Sequence, residues 1–244
     1  MSRIQSMASL SVSQAARQLG VSVARVHQRI QDGSLPAERV GHQWVIDAAD
    51  LARASQNPSG RPLSPRSAWQ LASVAAGADA DLRSDQRSRA RARLREFASL
   101  VESVDEREEG VVAAALASLL RRRAERHVLQ AARPDLADLL RDARLVPSGV
   151  SAPGAELSAT GIVEGYVSRS DLEQLIADYL LVPSGGQGNV ILHVVPESAD
   201  ADLVHGSVPA LFIAADLADH HGPREQVAAL RIVRNALFHR EERE

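Results

Sequence analysis

A pair of short helix patterns joined by a glycine turn constrains the fold of this chain more than any other sequence feature. Ser11 or Ser13 is positioned to cap the first helix, because a serine hydroxyl accepts hydrogen bonds from the unpaired amide groups of a first turn. Gly20 ends this helix, since glycine readily adopts the left-handed backbone found after helix C-termini. A second helix pattern follows after only a short turn.

The second helix divides into a buried and an exposed face. Ser22 caps it, and Val26 and Ile30 lie one turn apart, so both must face the core. A turn-forming run with glycine and proline ends the helix, and the residues that follow alternate around Gly41-His42 as in a two-stranded ribbon. Two helices, a short turn and a ribbon predict a winged helix-turn-helix over residues 1–55, which binds double-stranded DNA.

The polar outer face of the second helix supplies the candidate contacts to DNA. Side chains near the N-terminus of such a helix reach base edges in the major groove. Arg25 and Gln28 are the candidates for base contact, since Arg pairs in bidentate fashion with guanine and Gln with adenine. Arg17 and Arg29 are expected to hold phosphates. The complete predicted interface consists of Arg17, Ser22, Val23, Ala24, Arg25, His27, Gln28, Arg29, Arg39, His42 and Gln43.

A series of short motifs marks this segment. They are Ala15-Ala16, Leu19-Gly20-Val21-Ser22, Val26, Ile30, Asp32-Gly33-x-Leu35-Pro36-Ala37 and Arg39-Val40-Gly41. Their order resembles that of excisionase and MerR-type winged helix-turn-helix domains. The resemblance implies that both the second helix and the wing touch DNA. The alternative is a small helical domain with a protein–protein role.

Composition narrows the possible classes of protein. With 244 residues, the chain can form two or three small domains. It has no cysteine, which excludes disulfides and thiolate metal sites and fits a cytoplasmic setting. No apolar run is long enough to cross a membrane. We therefore expect a cytoplasmic, multidomain protein that is mainly α-helical, with an N-terminal winged helix-turn-helix, a helical middle and a C-terminal α/β domain.

Proline and glycine mark the first domain boundary. A linker over residues 56–66 contains Asn57-Pro58-Ser59-Gly60-Arg61-Pro62, which disfavours both helix and strand. Residues 67–144 are rich in Ala, Leu, Arg and Glu and predict a helical domain. Its main predicted helices cover residues 67–77, 85–104 and 111–132.

Charge divides the chain into a basic front and an acidic back. Residues 1–144 carry 22 Arg against 17 acidic residues, whereas residues 145–244 carry six Arg against fourteen, a net charge of −8. Six arginines lie from Arg83 to Arg95, where they form either a solvated helix face or a second contact to DNA phosphates. DNA phosphates would repel the acidic segment, so we expect it to bind a different partner. Its strand and helix patterns predict an α/β domain.

A five-residue sequence occurs twice in the second half of the chain. Leu145-Val146-Pro147-Ser148-Gly149 returns as Leu181-Val182-Pro183-Ser184-Gly185, each time after a leucine-rich helix pattern. The repeat indicates either a duplicated helix-loop unit or a hairpin or strand-entry turn. Neither copy is a phosphate-binding P-loop, because no Lys follows the glycines.

Groups of catalytic or metal-binding residues are sparse. Asp216, Asp219 and His220-His221 have a spacing compatible with a metal, but a polar helix end rich in His and Asp is the more common interpretation. Ser148 and Ser184 lack the flanking residues of a nucleophile elbow. No base, nucleophile and orienting group assemble in the sequence, so we predict no catalytic residue, no metal site, no cofactor and no enzyme activity.

A second set of short motifs lies in the C-terminal segment. They are Gly165-Tyr166-Val167, Asp171-Leu172, Asp178-Tyr179-x-Leu181, Gly188-Asn189-Val190, Val194-Val195-Pro196, Ala215-Asp216-Leu217-Ala218 and Pro223-Arg224. These motifs resemble the C-terminal domain of bacterial antitoxin-like regulators that are encoded beside nucleotidyltransferase-type toxins. The resemblance implies an autorepressor of a toxin–antitoxin operon that neutralises a toxin partner.

Together these patterns predict a sequence-specific DNA-binding regulator. It is expected to form a homodimer, since paired half-sites in DNA need paired reading heads. Its predicted partners are operator DNA and a toxin or other protein. The alternatives are a one-component transcription factor whose C-terminal domain senses a small ligand, and a structural adaptor.

Overall fold

The chain forms two compact units, Met1–Ser59 and Gly60–Glu244. The helices and two sheets of these units make the protein mixed α/β rather than mainly α as predicted. Among the described residues, none of the helices combines the length and apolar composition that a bilayer crossing requires. The computed structural model describes residues 9–19, 22–31, 35, 37–40, 43–47, 62–104, 109–153, 155, 161–184, 188–197, 207–220 and 222–238.

The described residues of the first unit form two helices and a three-stranded antiparallel sheet. Strand β1 (Ser9–Ser11) precedes helices α1 (Val12–Leu19) and α2 (Val23–Gln31), and strands β2 (Glu38–Val40) and β3 (Gln43–Asp47) follow them. β3 lies between β1 and β2. Two helices and a β2–β3 ribbon are the elements of the predicted winged helix-turn-helix. The sequence did not predict β1, because a strand of three residues is too short to show an alternating pattern.

Local hydrogen bonds determine where α1 begins. Ser11 Oγ accepts a hydrogen bond from the Gln14 amide at 3.3 Å, and Gln14 Oε1 accepts one from the Ser11 amide at 2.8 Å. This reciprocal pair is a capping box. Of the two predicted caps, Ser11 is therefore the one that α1 uses. α2 begins directly after Ser22, as predicted, while the predicted turn residue Gly20 lies outside the described residues.

A small apolar core joins the two helices to the sheet. Ala15 of α1, Val26 of α2 and Ile46 of β3 are buried together, and Leu35 joins them from the segment after α2. Ile30 packs against this group, as its spacing from Val26 predicts. The core fixes one face of α2 against the sheet and leaves the opposite face to solvent.

The second unit has helices on both faces of a five-stranded sheet. Its helices are α3 (Pro65–Ala76), α4 (Ser84–Ser103), α5 (Glu109–Leu119), α6 (Leu136–Leu139), α7 (Arg169–Asp178), α8 (Ala210–Asp219) and α9 (Pro223–Phe238). Its strands are β4 (Glu125–Gln130), β5 (Val146–Pro147), β6 (Val163–Val167), β7 (Val182–Pro183) and β8 (Val190–Val194). The strand order is β5-β6-β8-β4-β7, in which only the β6–β8 pair is parallel.

The third predicted helix of this region, residues 111–132, is wrong in its second half. α5 ends at Leu119, and Glu125–Gln130 forms β4, which pairs antiparallel with β8 on one side and β7 on the other. Ala, Leu and Arg favour helix locally. β4 instead gains its backbone hydrogen bonds from strands that lie far along the chain, and such tertiary context overrides propensity.

The repeated pentapeptide occupies opposite edges of the sheet. Each copy begins with a buried leucine, Leu145 or Leu181, and continues into a two-residue strand, β5 or β7. β5 pairs with β6, and β7 pairs with β4. Proline suits an edge strand because it has no amide hydrogen to donate to a ladder. Both copies therefore serve as edge strands, which agrees with the strand-entry interpretation.

The main core of the second unit draws on both the predicted helical segment and the predicted α/β segment. Trp69 of α3 meets Phe212 of α8 edge to face, with ring centroids 4.8 Å apart, and Leu116 of α5 is buried in the same cluster. A second core lies between the sheet and α7, where Val167 and Leu192 are buried. Because side chains alternate along a strand, the neighbours of these two residues face the other side of the sheet.

Candidate functional site

The exposed face of α2 is the first candidate site. Ala24 and Gln28 lie one turn apart and are exposed, on the side of the helix opposite the buried Val26. Val23 in the first turn is 45% exposed, and Ser22 directly before it is exposed as well. Small and polar side chains at these positions leave the helix free to approach a groove closely.

Basic side chains flank this face. His27 and Arg29 lie on its two edges and are half-buried, whereas Arg17 near the end of α1 is exposed. Arg25 belongs to the first turn of α2, but its side chain lies outside the described residues. The first unit therefore has a central strip of Ala24 and Gln28, with His27 along one edge and Arg29 along the other. This arrangement suits base contacts from the strip and phosphate contacts from its edges.

The β2–β3 ribbon, which corresponds to the predicted wing, supplies a further exposed cation. Arg39 of β2 pairs across the ribbon with Trp44 of β3, and the Arg39 Cζ lies 5.9 Å from the centre of the indole ring. A cation over an aromatic face is held in place by the ring quadrupole. Gln43 is exposed at the start of β3, whereas the predicted contact His42 lies outside the described residues.

The second candidate site is a buried polar cluster in the second unit. Glu164 and Tyr166 of β6 and His193 of β8 lie on the sheet face that meets Asp216 of α8. Arg123, between α5 and β4, completes the group, and none of the five residues is more than 3% exposed. Buried charges must be paired, so the hydrogen bonds of this cluster decide what it can do.

Asp216 and Arg123 form the charged centre of the cluster. Arg123 Nε donates to Asp216 Oδ1 at 2.8 Å, and Arg123 Nη2 donates to the same oxygen and to Asp219 Oδ2, the latter at 2.8 Å. Ser148 Oγ donates to Asp216 Oδ2, and the Tyr166 hydroxyl donates to Oδ1 at 3.2 Å. Burial by itself lowers the pKa of Arg123, but Asp216, Tyr166 and Asp219 together outweigh burial and raise that pKa, so the guanidinium stays charged.

Glu164 forms the other half of the cluster. Its Oε1 lies 3.0 Å from His193 Nε2, its Oε2 lies 2.7 Å from His220 Nε2, and the Val150 amide donates to Oε2 at 3.1 Å. Burial by itself raises the pKa of Glu164, but hydrogen bonds from His193 and His220 lower it to about 2. The hydrogen bond to Glu164 in turn raises the pKa of His220. Glu164 is thus held as a carboxylate.

Three donor groups of this cluster are close enough to hold a metal ion. The ligand atoms of Glu164, His193 and Asp216 lie within 4.8 Å of one another. However, Asp216 Oδ1 already accepts hydrogen bonds from the Arg123 guanidinium, and that cation would repel a metal ion at the same oxygen. The geometry therefore favours an internally neutralised ion-pair network that ties β6, β8 and α8 together.

The sequence singles out Asp216, which lies at the centre of this cluster, but groups it only with its helix neighbours Asp219 and His220-His221. In the structure Asp219 binds Arg123 and His220 binds Glu164, so these neighbours have different partners; His221 lies outside the described residues. The sequence signal that could have identified the cluster was a polar residue inside an apolar strand pattern, as at Glu164 and His193. Arg123 gave no such signal, because its side-chain partners Tyr166 and Asp216 lie 43 and 93 positions away.

Comparisons with known proteins bear on the first unit. A family model described as a helix-turn-helix domain matches residues 9–54. The comparison with curated proteins gave no match, and neither did the comparison with solved structures. The chain therefore carries an N-terminal helix-turn-helix DNA-binding domain, as the sequence predicts.

Proposed function

From this DNA-binding domain, we propose that the protein is a sequence-specific transcriptional regulator that acts by binding, in the cytoplasm, as a homodimer on paired half-sites. The observation that carries the proposal is the exposed strip of α2, where Ala24 and Gln28 lie one turn apart opposite the core. Gln28 pairs with adenine in the major groove, and Val23 contacts a thymine methyl group. Arg25, whose backbone lies in the first turn, is assigned to a neighbouring guanine on the basis of its sequence position.

The flanking residues position the domain on the duplex. His27 and Arg29 border the strip and Arg17 lies exposed near the end of α1, and we assign all three to phosphates of the two strands. We assign Arg39, which lies beside Trp44, and Gln43 to the adjacent DNA backbone. The wing would then touch DNA as it does in the excisionase and MerR-type domains that the sequence resembles. Phosphate contacts of this kind add affinity without sequence preference.

The test begins with selection of preferred duplexes from a random library by the full-length protein. On the selected duplex, Gln28→Ala should cost about 1–3 kcal/mol at one base position and relax the preference there. Gln174→Ala, an exposed glutamine of α7, is the matched control and should change nothing. If Gln28→Ala weakens binding to every sequence equally, the assignment of α2 as the base-reading helix is wrong.

We also propose a protein partner for the acidic segment, residues 145–244. Its net charge of −8 supports a basic partner, and its short motifs resemble those of antitoxins. In this sharper form the protein is the antitoxin and autorepressor of a toxin–antitoxin operon and neutralises a toxin through this segment. The runner-up is a one-component transcription factor in which the same segment binds a small ligand.

Capture of the tagged full-length protein from its native cells distinguishes the two forms. Half of the sample is treated with nuclease, and both halves are identified by mass spectrometry. A stoichiometric basic protein that survives nuclease supports the antitoxin, provided that co-expression with the protein relieves that partner's toxicity. Recovery of DNA alone supports the stand-alone regulator and contradicts the antitoxin.

A further inference from the structure

The six arginines of the segment from Arg83 to Arg95 do not share one role. Arg87 donates to the backbone carbonyls of Asp79, Ala80 and Leu82 at 2.8–3.1 Å through Nη2. Arg91 donates to the Asp79 carboxylate at 2.9 Å. These two arginines therefore fasten the turn between α3 and α4, and their guanidinium groups are engaged within the fold.

Three other arginines of the segment face a groove between α3 and α4. The groove has a volume of about 250 Å³. Arg66 from the first turn of α3 lines it from the other side, so four arginines line the groove. The long polar side chains that line the groove are Arg66, Gln70, Arg83, Gln86, Arg89 and Arg93.

Little within the described residues neutralises this charge. Arg83 and Arg89 both pair with Asp85, but these groups are more than half exposed, and exposed ion pairs contribute little to stability. Arg66 and Arg93 form no ion pair within the described residues. Four cations around one carboxylate leave a local excess of positive charge that an anion can balance.

The chemistry of these side chains selects the anion. A guanidinium presents planar N–H donors that match two phosphate oxygens at once, and a glutamine amide adds a further donor. We propose that this groove binds backbone phosphates of DNA, as a second contact beside the helix-turn-helix domain. This inference rests on the proposed function, because it assigns the anion to the same DNA that α2 reads.

The salt dependence of DNA binding tests the groove. Affinity of the full-length protein for the selected duplex is measured by fluorescence anisotropy from 50 to 300 mM NaCl. Each phosphate contact contributes about 0.9 to the slope of log K against log salt. Arg66→Gln combined with Arg93→Gln should therefore lower the magnitude of that slope by about 1.8 and weaken binding in 0.15 M salt about tenfold or more. The preference for the selected over a scrambled duplex should stay the same.

Two further variants control for charge and for folding. Arg133→Gln combined with Arg224→Gln removes the same charge from exposed positions outside the groove and should leave the slope unchanged. Arg66→Lys combined with Arg93→Lys keeps the charge and should restore most of the slope. A slope in the glutamine variant equal to that of its control would overturn the groove assignment. Failure of the proposed function is a separate result, in which the wild-type protein shows no preference for any duplex.

Discussion

The two units of this protein use polar side chains in opposite ways. In the first unit, the polar Gln28 lies exposed on α2 beside Ala24, and a small core of apolar residues packs against the opposite face of the helix. In the second unit, Arg123 and Asp216 are buried and bind each other, and the buried Glu164 binds His193. Exposed polar groups are available to a ligand and contribute little to stability, whereas buried ones must satisfy each other. The first arrangement suits recognition and the second suits a fixed fold.

The largest expected effect comes from removing the centre of the buried cluster. Asp216→Ala leaves Arg123 without its main partner and deprives Ser148 and Tyr166 of their acceptor. Breaking a buried ion pair in this way costs about 3–5 kcal/mol in the free energy of unfolding. Denaturant unfolding followed by circular dichroism measures it. Asp219→Ala is the control: its side chain is 29% exposed, so the loss should be much smaller. Equal losses would contradict the central role of Asp216.

The next effect is a dependence of stability on pH at Glu164. The pKa of this carboxyl is about 2 in the folded protein, below its ordinary value of 4.5. A lowered pKa means that the stabilisation is fully present above pH 4.5 and is lost as pH falls towards 2; it amounts to roughly 3 kcal/mol. Glu164→Gln should flatten the acid limb of a plot of unfolding free energy against pH. An acid limb unchanged from the wild type would show that other carboxyls cause it.

His220 should give a pH dependence of stability opposite in sign to that of Glu164. The hydrogen bond to Glu164 raises its pKa above the ordinary 6.5. The stabilisation is therefore fully present below pH 6.5 and is lost as pH rises through the higher folded value. We expect His220→Gln to abolish this loss on the neutral-to-alkaline side and to reduce, without removing, the acid limb from Glu164, because His193 still binds that carboxylate. Unfolding measurements from pH 5 to 9 on both proteins check it.

Removing an exposed hydrogen-bond pair in the first unit should lower the free energy of unfolding by a smaller amount. Ser11→Ala removes the capping box with Gln14 at the start of α1. Loss of such a cap costs about 1 kcal/mol. The experiment is thermal unfolding of Ser11→Ala beside Ser13→Ala, because Ser13 is the cap that the sequence offers and the structure does not use. A larger loss for Ser13→Ala would reverse the assignment.

Sequence alone predicted the first unit better than the second for a physical reason. The contacts that define α1, α2 and the ribbon are local: the Ser11 cap, the one-turn spacing of Val26 and Ile30, and the alternation about the turn. In the second unit, Glu125–Gln130 forms a strand by pairing with residues 61 to 69 positions away. The cluster around Asp216 likewise joins residues 68 and 93 positions apart. No local pattern encodes such distant partners.

The smallest expected effect on stability belongs to the residue with the largest expected effect on recognition. Gln28 is exposed on α2, so Gln28→Ala should change the free energy of unfolding by less than about 0.5 kcal/mol. The same substitution should remove one base preference, because the proposed function assigns Gln28 to an adenine in the major groove of DNA. Unfolding and DNA binding are measured on one preparation. If stability falls together with affinity, Gln28 supports the fold of the domain, and the contrast between an exposed recognition face and a buried structural cluster does not hold at this residue.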